Sequence, residues 1–330
     1  MPDKEVLVSV LCITFNHQKY IRRCLDSMVN QKTDFRYEII IHDDASTDGT
    51  PNIVREYAQR YPDLIIPILQ KENQYSQGVD MMKDFMFPKA SGEYIVELEG
   101  DDFWCDQNKL QLQVDAMRKH PECALCVHKT GTVDAGGSRL SWQFPMMNLE
   151  EGVITTQKLM ELTLNEDSWP FHLSSLMVNV QLYREYMDFE TVGFPAKFFR
   201  VGDLPRYLFY GLKGDAYYID REMSVYTVDS GGFMSRAKID PEFAKKAHQG
   251  FIDGLSEFNA YSDYKYSDLI EKMLVLRRFE IARIDRRFDL LVSKPEYDYL
   301  IKRRGLLKSI AFRVIGHAML LTRRIRKERT

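Results

Sequence analysis

The sequence predicts an α/β protein: a mostly parallel central sheet with helices on both faces, followed by a C-terminal helical extension. Three observations lead there. Short continuous apolar runs alternate with stretches of helical periodicity over roughly the first 130 residues. Three polar clusters, TFNH, HDDASTDG and EGDDFW, each follow such an apolar run. From about Pro241 onward the composition turns helical and charged.

The elements follow in order. VLVSVLCI (6–13) is apolar and partly β-branched, the pattern of a strand covered on both faces. Ile21, Cys24, Leu25 and Met28 then repeat at helical spacing, so one stripe faces a sheet. YEIII (37–41) is the second strand. In the helix after it, Thr50 caps, Pro51 suits the first turn, and Val54, Tyr57, Ala58 and Tyr61 form the buried stripe. LIIPIL (64–69), a helical stretch near 78–87, EYIVEL (93–98), a helix over 108–120 and CALCVH (123–128) continue the alternation. Beyond about residue 130 the pattern loosens: GTVDAGG marks a turn, HLSSLMVNV (172–180) a strand, and AYYI (216–219) another before the polar stretch DREMSVYTVDSGG. No internal repeat or low-complexity segment is present.

Composition narrows the class. With 330 residues, 45% hydrophobic and 28% charged, the chain has the makings of a folded protein of one large or two modest domains. Five cysteines without framework spacing fit a reducing compartment. Cys123 and Cys126 form a CxxC inside an apolar run, with no second pair to complete a zinc site, so core packing is expected of them. The start MPDKEVLVSV lacks the basic opening and long apolar core of a signal peptide, and no run reaches the ~18 apolar residues of a spanning helix; a cytoplasmic protein is expected. The net charge of −3 is uneven: residues 302–330 hold ten Lys/Arg and one acid, a net +9, leaving −12 for the rest. Such a tail is suited to an anionic partner.

In open parallel sheets ligands bind at the carboxyl ends of strands, where all three polar clusters fall. Glu99 and Asp101 alternate at one strand end, a spacing that lets two carboxylates converge on a hard divalent cation, Mg²⁺ or Mn²⁺. Acidic residues after a strand also read as solvated loop or helix caps, and Asp106 is expected to be a cap. In HDDASTDG, an Asp at a strand end suits ribose hydroxyls or base NH groups. TFNHQKYI has no GxGxxG, which argues against a dinucleotide and leaves a nucleotide whose diphosphate is neutralised by a metal. His17, His42 and His172 show no HxH or HExxH spacing, and a lone His at a strand end is more often structural.

VSVLCITFNHQKYIRRCLDSMVNQ, YEIIIHDDASTDGT, ASGEYIVELEGDDFW and, more loosely, VGDLPRYLF resemble the successive signatures of the family-two glycosyltransferases of GT-A fold, whose central sheet is Rossmann-like. The resemblance covers residues 5–130 closely and 165–235 more weakly. It implies inverting transfer of a sugar from a nucleotide-diphosphate donor, a UDP-sugar first, to an acceptor hydroxyl. By position it implies that Thr14, Phe15 and Asn16 line the nucleoside pocket and that Asp43 and Asp44 contact base or ribose. Asp101 is the implied metal ligand, with Glu99 in the second acidic slot where the family has Asp; Asp102 and Trp104 stand near the donor sugar. Asp203 matches the family's general base, although before Leu204 and Pro205 it also reads as a helix cap. In YTVDSGG, Thr227 and Asp229 replace the family's frequent basic residue and His, so Asp229 is an additional metal candidate or the loop is structural.

The implied organisation is a nucleotide-sugar half (1–130), an acceptor and catalytic-base half (131–235), a helical extension (236–300) and a basic tail (301–330). In the tail, Leu307, Ile310, Ala311, Val314, Ala318, Leu321 and Ile325 share one helical face, with Lys308, Arg313, Arg323, Arg324 and Lys327 off it. That is the pattern of an interfacial membrane helix; a nucleic-acid partner is not expected, since Phe312 is the segment's lone aromatic. The expectation is a peripheral enzyme on the inner face of the cell membrane, acting on a glycan or lipid-linked acceptor in bacterial surface-polysaccharide synthesis. Two alternatives remain: a non-catalytic nucleotide- and membrane-binding protein with a degenerate fold, and a nucleotidyltransferase, for which TFNHQKY lacks the basic glycine-rich loop.

Overall fold

The apolar run predicted as the first strand forms β1 (Val6–Thr14), and its interior residues are buried because both faces are covered. The structure is a computed structural model that describes residues 5–165, 170–189, 193–199, 202–228, 231 and 233–327. The chain divides into two compact units, one holding residues 1–163, 168–192 and 206–230, the other residues 164–167, 193–205 and 231–330.

The first unit is built on a nine-stranded sheet. Its other strands are β2 (Arg36–Asp43), β3 (Ile65–Leu69), β4 (Tyr94–Glu99), β5 (Phe103–Trp104), β6 (Cys123–Val133), β7 (Gly152–Ile154), β8 (Met177–Asn179) and β9 (Asp215–Thr227). The order is β3-β2-β1-β4-β8-β6-β9-β5, with β7 paired to β9. The pairs β3-β2, β2-β1, β1-β4 and β6-β9 are parallel, and the antiparallel pairings are short. Because β1 to β4 run the same way, their carboxyl ends, with TFNH, HDDASTDG and EGDDFW, share one edge.

The helices of this unit are α1 (Ile21–Val29), α2 (Thr50–Arg60), α3 (Lys109–Lys119), α4 (Thr156–Thr163), α5 (Val180–Met187) and α6 (Asp203–Lys213), the first three residues of α6 belonging to the second unit. The stripe Ile21, Cys24, Leu25 and Met28 is fully buried against the sheet, as its spacing predicts. Val54 and Tyr57 are buried, with Ala58 and Tyr61 packed partly against the same core. Cys123 and Cys126 are buried free thiols. In α6, Arg206 forms a bidentate pair with Glu97 of β4, at 2.9 and 3.1 Å, and both side chains are buried.

Three segments depart from the sequence pattern. Residues 78–87 form no regular helix: Gly78 takes a left-handed φ of 77° after a short turn, and a single π turn spans Met82–Met86 before Pro88. In HLSSLMVNV only Met177–Asn179 pair as a strand, because the Ser174 amide donates to His172 Nδ1 and turns Leu173–Ser175 into a 3₁₀ helix. Finally, β6 and β9 run to Val133 and Thr227, well past His128 and Ile219. Their parallel ladder sustains both strands through the polar stretch, with register shifts near Lys129 that absorb Asp220 and Arg221.

The second unit is helical: α7 (Phe233–Ile239), α8 (Pro241–Tyr261), α9 (Ser267–Ile284), α10 (Phe288–Ser293), α11 (Asp298–Arg303) and α12 (Leu306–Lys327). Asp240 caps α8 by accepting from the Phe243 amide, with Pro241 in the first turn. Phe279, Leu291, Tyr297, Leu300 and Ile301 pack as a core among α9, α10 and α11.

Candidate functional site

The loops after β1 and β2 are clasped by their own polar side chains. Asn16 Oδ1 accepts from the Thr47 amide at 2.8 Å, and the Asn16 amide donates to Ser46 Oγ at 2.8 Å. Gln18 repeats the arrangement: its amide donates to Asp48 at 3.0 Å and its side-chain oxygen accepts from Gly49 at 2.9 Å. Asn16 holds a left-handed φ of 55°, which Asn tolerates better than most residues. The clasp leaves Phe15 44% exposed beside the edge.

The two aspartates that close β2 play different parts. Asp44 is buried and accepts the Gln74 and Tyr75 amides at 2.7 and 3.1 Å, one on each oxygen, while its own amide donates to Thr14. Its carboxylate is thus engaged in folding the loop after β3. Asp43 accepts from the Ser46 amide through Oδ2, and its buried Oδ1 has no partner among the described residues. Burial raises the Asp43 pKa, as for a carboxylate that awaits a donor. Thr14 Oγ1 is likewise buried and unpartnered among the described residues.

At the end of β4, Gly100 lets the chain turn directly over β1. A Cβ there would lie 2.5 Å from Thr14 Oγ1 and 2.9 Å from His17 Nδ1. The turn brings carboxylate oxygens of Glu99, Asp101 and Asp102 within 4.8 Å of one another, with Glu99 exposed and the two aspartates buried. Thr227, at the end of β9, latches it: its amide donates to Asp102 Oδ1 at 2.8 Å and its hydroxyl to the Asp101 carbonyl at 2.6 Å. Arg23 of α1 donates to the same hydroxyl at 3.2 Å and stacks 3.9 Å from the Phe103 ring. Nothing in the residue type of Thr227 announces this role; the unexpected length of β9 carries it to the site.

Two histidines flank the cluster. His17 Nε2 lies 3.8 Å from Asp101 Oδ2 and His172 Nε2 lies 3.8 Å from Asp102 Oδ2, beyond hydrogen-bond length but close enough to interact electrostatically. Burial lowers the His172 pKa to about 3, so the ring is neutral at pH 7. Its Nδ1 lies 3.3 Å from the Ser174 amide and 2.8 Å from Ser174 Oγ, which holds the ring with Nε2 facing Asp102. His42, by contrast, pairs with Gln70 at 3.1 Å under the Phe85 ring, in the structural role expected of a lone strand-end histidine.

Trp104 is 4% exposed and packs in the core of the first unit, its ring 4.4 Å from the Lys109 ammonium. Asp106 accepts the Asn108 amide and pairs with Arg221, but the residue that caps α3 is Asn108, so Asp106 shapes the turn before the helix and is not the cap expected of it. Asp203 is the first residue of α6 and stands in its first turn. Asp229 lies outside the described residues.

A sheet of this order with an acidic turn and two clasped loops at one carboxyl edge defines a GT-A fold. The chain belongs to glycosyl transferase family 2, whose family model matches residues 9–186. Among curated relatives, the uncharacterized protein Rv1520 of Mycobacterium tuberculosis is 42% identical over 141 residues, 43% of this chain and 40% of that protein. Chondroitin synthase of Escherichia coli is 32% identical over 149 residues, 44% of this chain and 20% of that enzyme. The chain thus spans less than half the length of these relatives. Among solved structures, S. aureus TarS 1-349 in complex with UDP-GlcNAc matches with a TM-score of 0.59 at 19% identity, over 90% of this chain and 80% of that one. The mannosyltransferase PcManGT from Pyrobaculum calidifontis, in complex with GDP-Man and Mn²⁺, matches with a TM-score of 0.53 at 18% identity, over 97% and 82%. These structural likenesses establish the fold.

Proposed function

We propose that the protein is an inverting glycosyltransferase that moves a sugar from a nucleotide-diphosphate donor, UDP-linked in the first instance, to a hydroxyl of a glycan or lipid-linked acceptor in bacterial surface-polysaccharide synthesis. The observation that carries this is the carboxylate turn Glu99-Gly100-Asp101-Asp102 at the same sheet edge as the clasped loops after β1 and β2. Its donors are all hard oxygens, the set that Mg²⁺ or Mn²⁺ takes while keeping positions for phosphate and water. Asp101 and Glu99 would hold the cation, with Asp229 as an additional candidate; bound there, it would offset the charge of the leaving diphosphate.

The protein's own groups supply the rest. Asp43, whose Oδ1 has no partner among the described residues, accepts from the base or ribose with Asp44 beside it, and Thr14, Phe15 and Asn16 line the nucleoside pocket. Asp102 is oriented by the Thr227 amide toward the donor sugar. Asp203 removes the acceptor's proton as the new bond forms at the anomeric carbon, where positive charge develops. A single displacement with one base inverts that carbon and needs no covalent enzyme intermediate. The same reading stations the protein at an anionic membrane surface, where a lipid-linked acceptor is at hand.

Donor binding and transfer separate the roles. Asp203→Asn is expected to keep nucleotide-sugar affinity and lose transfer by about 10²- to 10⁴-fold. Unchanged transfer in that variant removes Asp203 as the base, and nucleotide binding with no transfer by the wild type favours the non-catalytic alternative.

A further inference from the structure

Helix α12 is amphipathic, and its packing shows which face is committed to the protein. Ser309 is buried at 8% exposure, and at Gly316 a Cβ would lie 2.4 Å from the Phe288 carbonyl and 2.7 Å from Val292. Phe312 packs on Phe288 with ring centroids 5.2 Å apart, and Arg313 pairs with Asp298. Ser309, Phe312 and Gly316 lie along one side of the helix, fixed against α10.

The opposite side carries the large apolar residues. Ile310, Val314, Ile315 and Leu321 are 50%, 64%, 45% and 61% exposed. At about 100° per residue they span an arc of about 140°. Lys308 borders that arc beside Ile315, and Arg313 and His317 border it beside Ile310; residues 302–330 carry a net +9. No helix among the described residues is long and apolar enough to cross a membrane.

We infer that this outward face is the protein's lipid-contacting surface: α12 lies in the interface of an anionic bilayer while its inner face stays docked on α10. The inference rests on the membrane station in the proposed function and names the residues that make it. An apolar arc with cationic borders fits acyl chains below and anionic headgroups at the sides. A second copy of the chain fits poorly, because face-to-face docking would bring two basic borders together. Nucleic acid would leave the apolar arc in water.

The test is co-sedimentation of the full chain with phosphatidylcholine vesicles, with and without about 30% phosphatidylglycerol. Wild type is expected to partition at least 10-fold more strongly to the anionic vesicles, and less at high salt. The double variant Val314→Asp/Leu321→Asp should lose most of that partition with an unchanged melting curve, since both positions are exposed, whereas Val314→Leu should retain it. Equal binding by wild type and double variant overturns the assignment of this face and leaves the membrane station standing. Wild type that ignores anionic vesicles overturns both. Self-association that the double variant abolishes, without vesicle binding, gives the face to a second copy and overturns the inference.

Discussion

Asp43 and Asp44 are neighbours of one residue type whose side chains have different work. Asp44 accepts two backbone amides and shapes a loop, whereas Asp43 keeps a buried oxygen without a partner among the described residues. The sequence marks both as candidates, because the difference lies in where the loop after β3 returns, over thirty positions away. Gly100 shows the same principle from the side of space. Its substitution by Ala drives a Cβ into Thr14 and His17, and a cost of about 1–3 kcal/mol in urea unfolding is expected, with weaker donor binding. At Gly49 the added Cβ meets only the end of the Gln18 side chain, so Gly49→Ala should cost about 1 kcal/mol or less. Equal losses in the two variants would mean that the turn over Thr14 is less tight than described.

The early strands and helices were legible because each has one uniform environment. β1 and β2 are covered on both faces and read as apolar runs, and α1 shows its buried stripe directly. β9 was legible only to Ile219, since the exposed Asp220 and Arg221 interrupt its apolar run and its continuation through Met223 and Val225 depends on β6 for its conformation. The burial of Trp104 is set by the pairing of its two-residue strand β5 with β9 and not by the local sequence. The Glu97–Arg206 pair, which joins β4 to α6, was not anticipated, because nothing local distinguishes Glu97 from the site carboxylates two residues on. Removing one partner of a buried pair strands the other, so Glu97→Gln should cost about 3–5 kcal/mol by denaturant titration. A loss below 1 kcal/mol would show that Arg206 finds water or another acceptor.

At the scale of the whole molecule, two buried basic groups contribute to the response to pH. Burial lowers the Lys109 pKa to about 7; its ammonium bonds Gln113 Oε1 at 2.6 Å and lies over Trp104. Between pH 7 and about 10 the unfolded chain therefore holds a proton that the folded chain lacks, and stability rises with pH. Relative to Lys109→Met, wild type should gain up to about 1.4 kcal/mol per pH unit over that window. A flat difference would show that Lys109 stays charged when folded. Burial also lowers the His128 pKa well below its ordinary value of 6.5, so its contribution is intact above pH 6.5 and lost as the pH falls below it.

The central claim, that this edge binds a nucleotide diphosphate through a cation held by Asp101, is tested most directly by one thermal-shift experiment. Wild type and Asp101→Asn would be melted with UDP, GDP, dTDP and CMP, each with and without Mn²⁺. The account predicts a rise in Tm for one nucleoside diphosphate that requires Mn²⁺ and disappears in Asp101→Asn. No rise with any nucleotide in well-folded wild type, or a rise that survives both removal of the metal and Asp101→Asn, would contradict it.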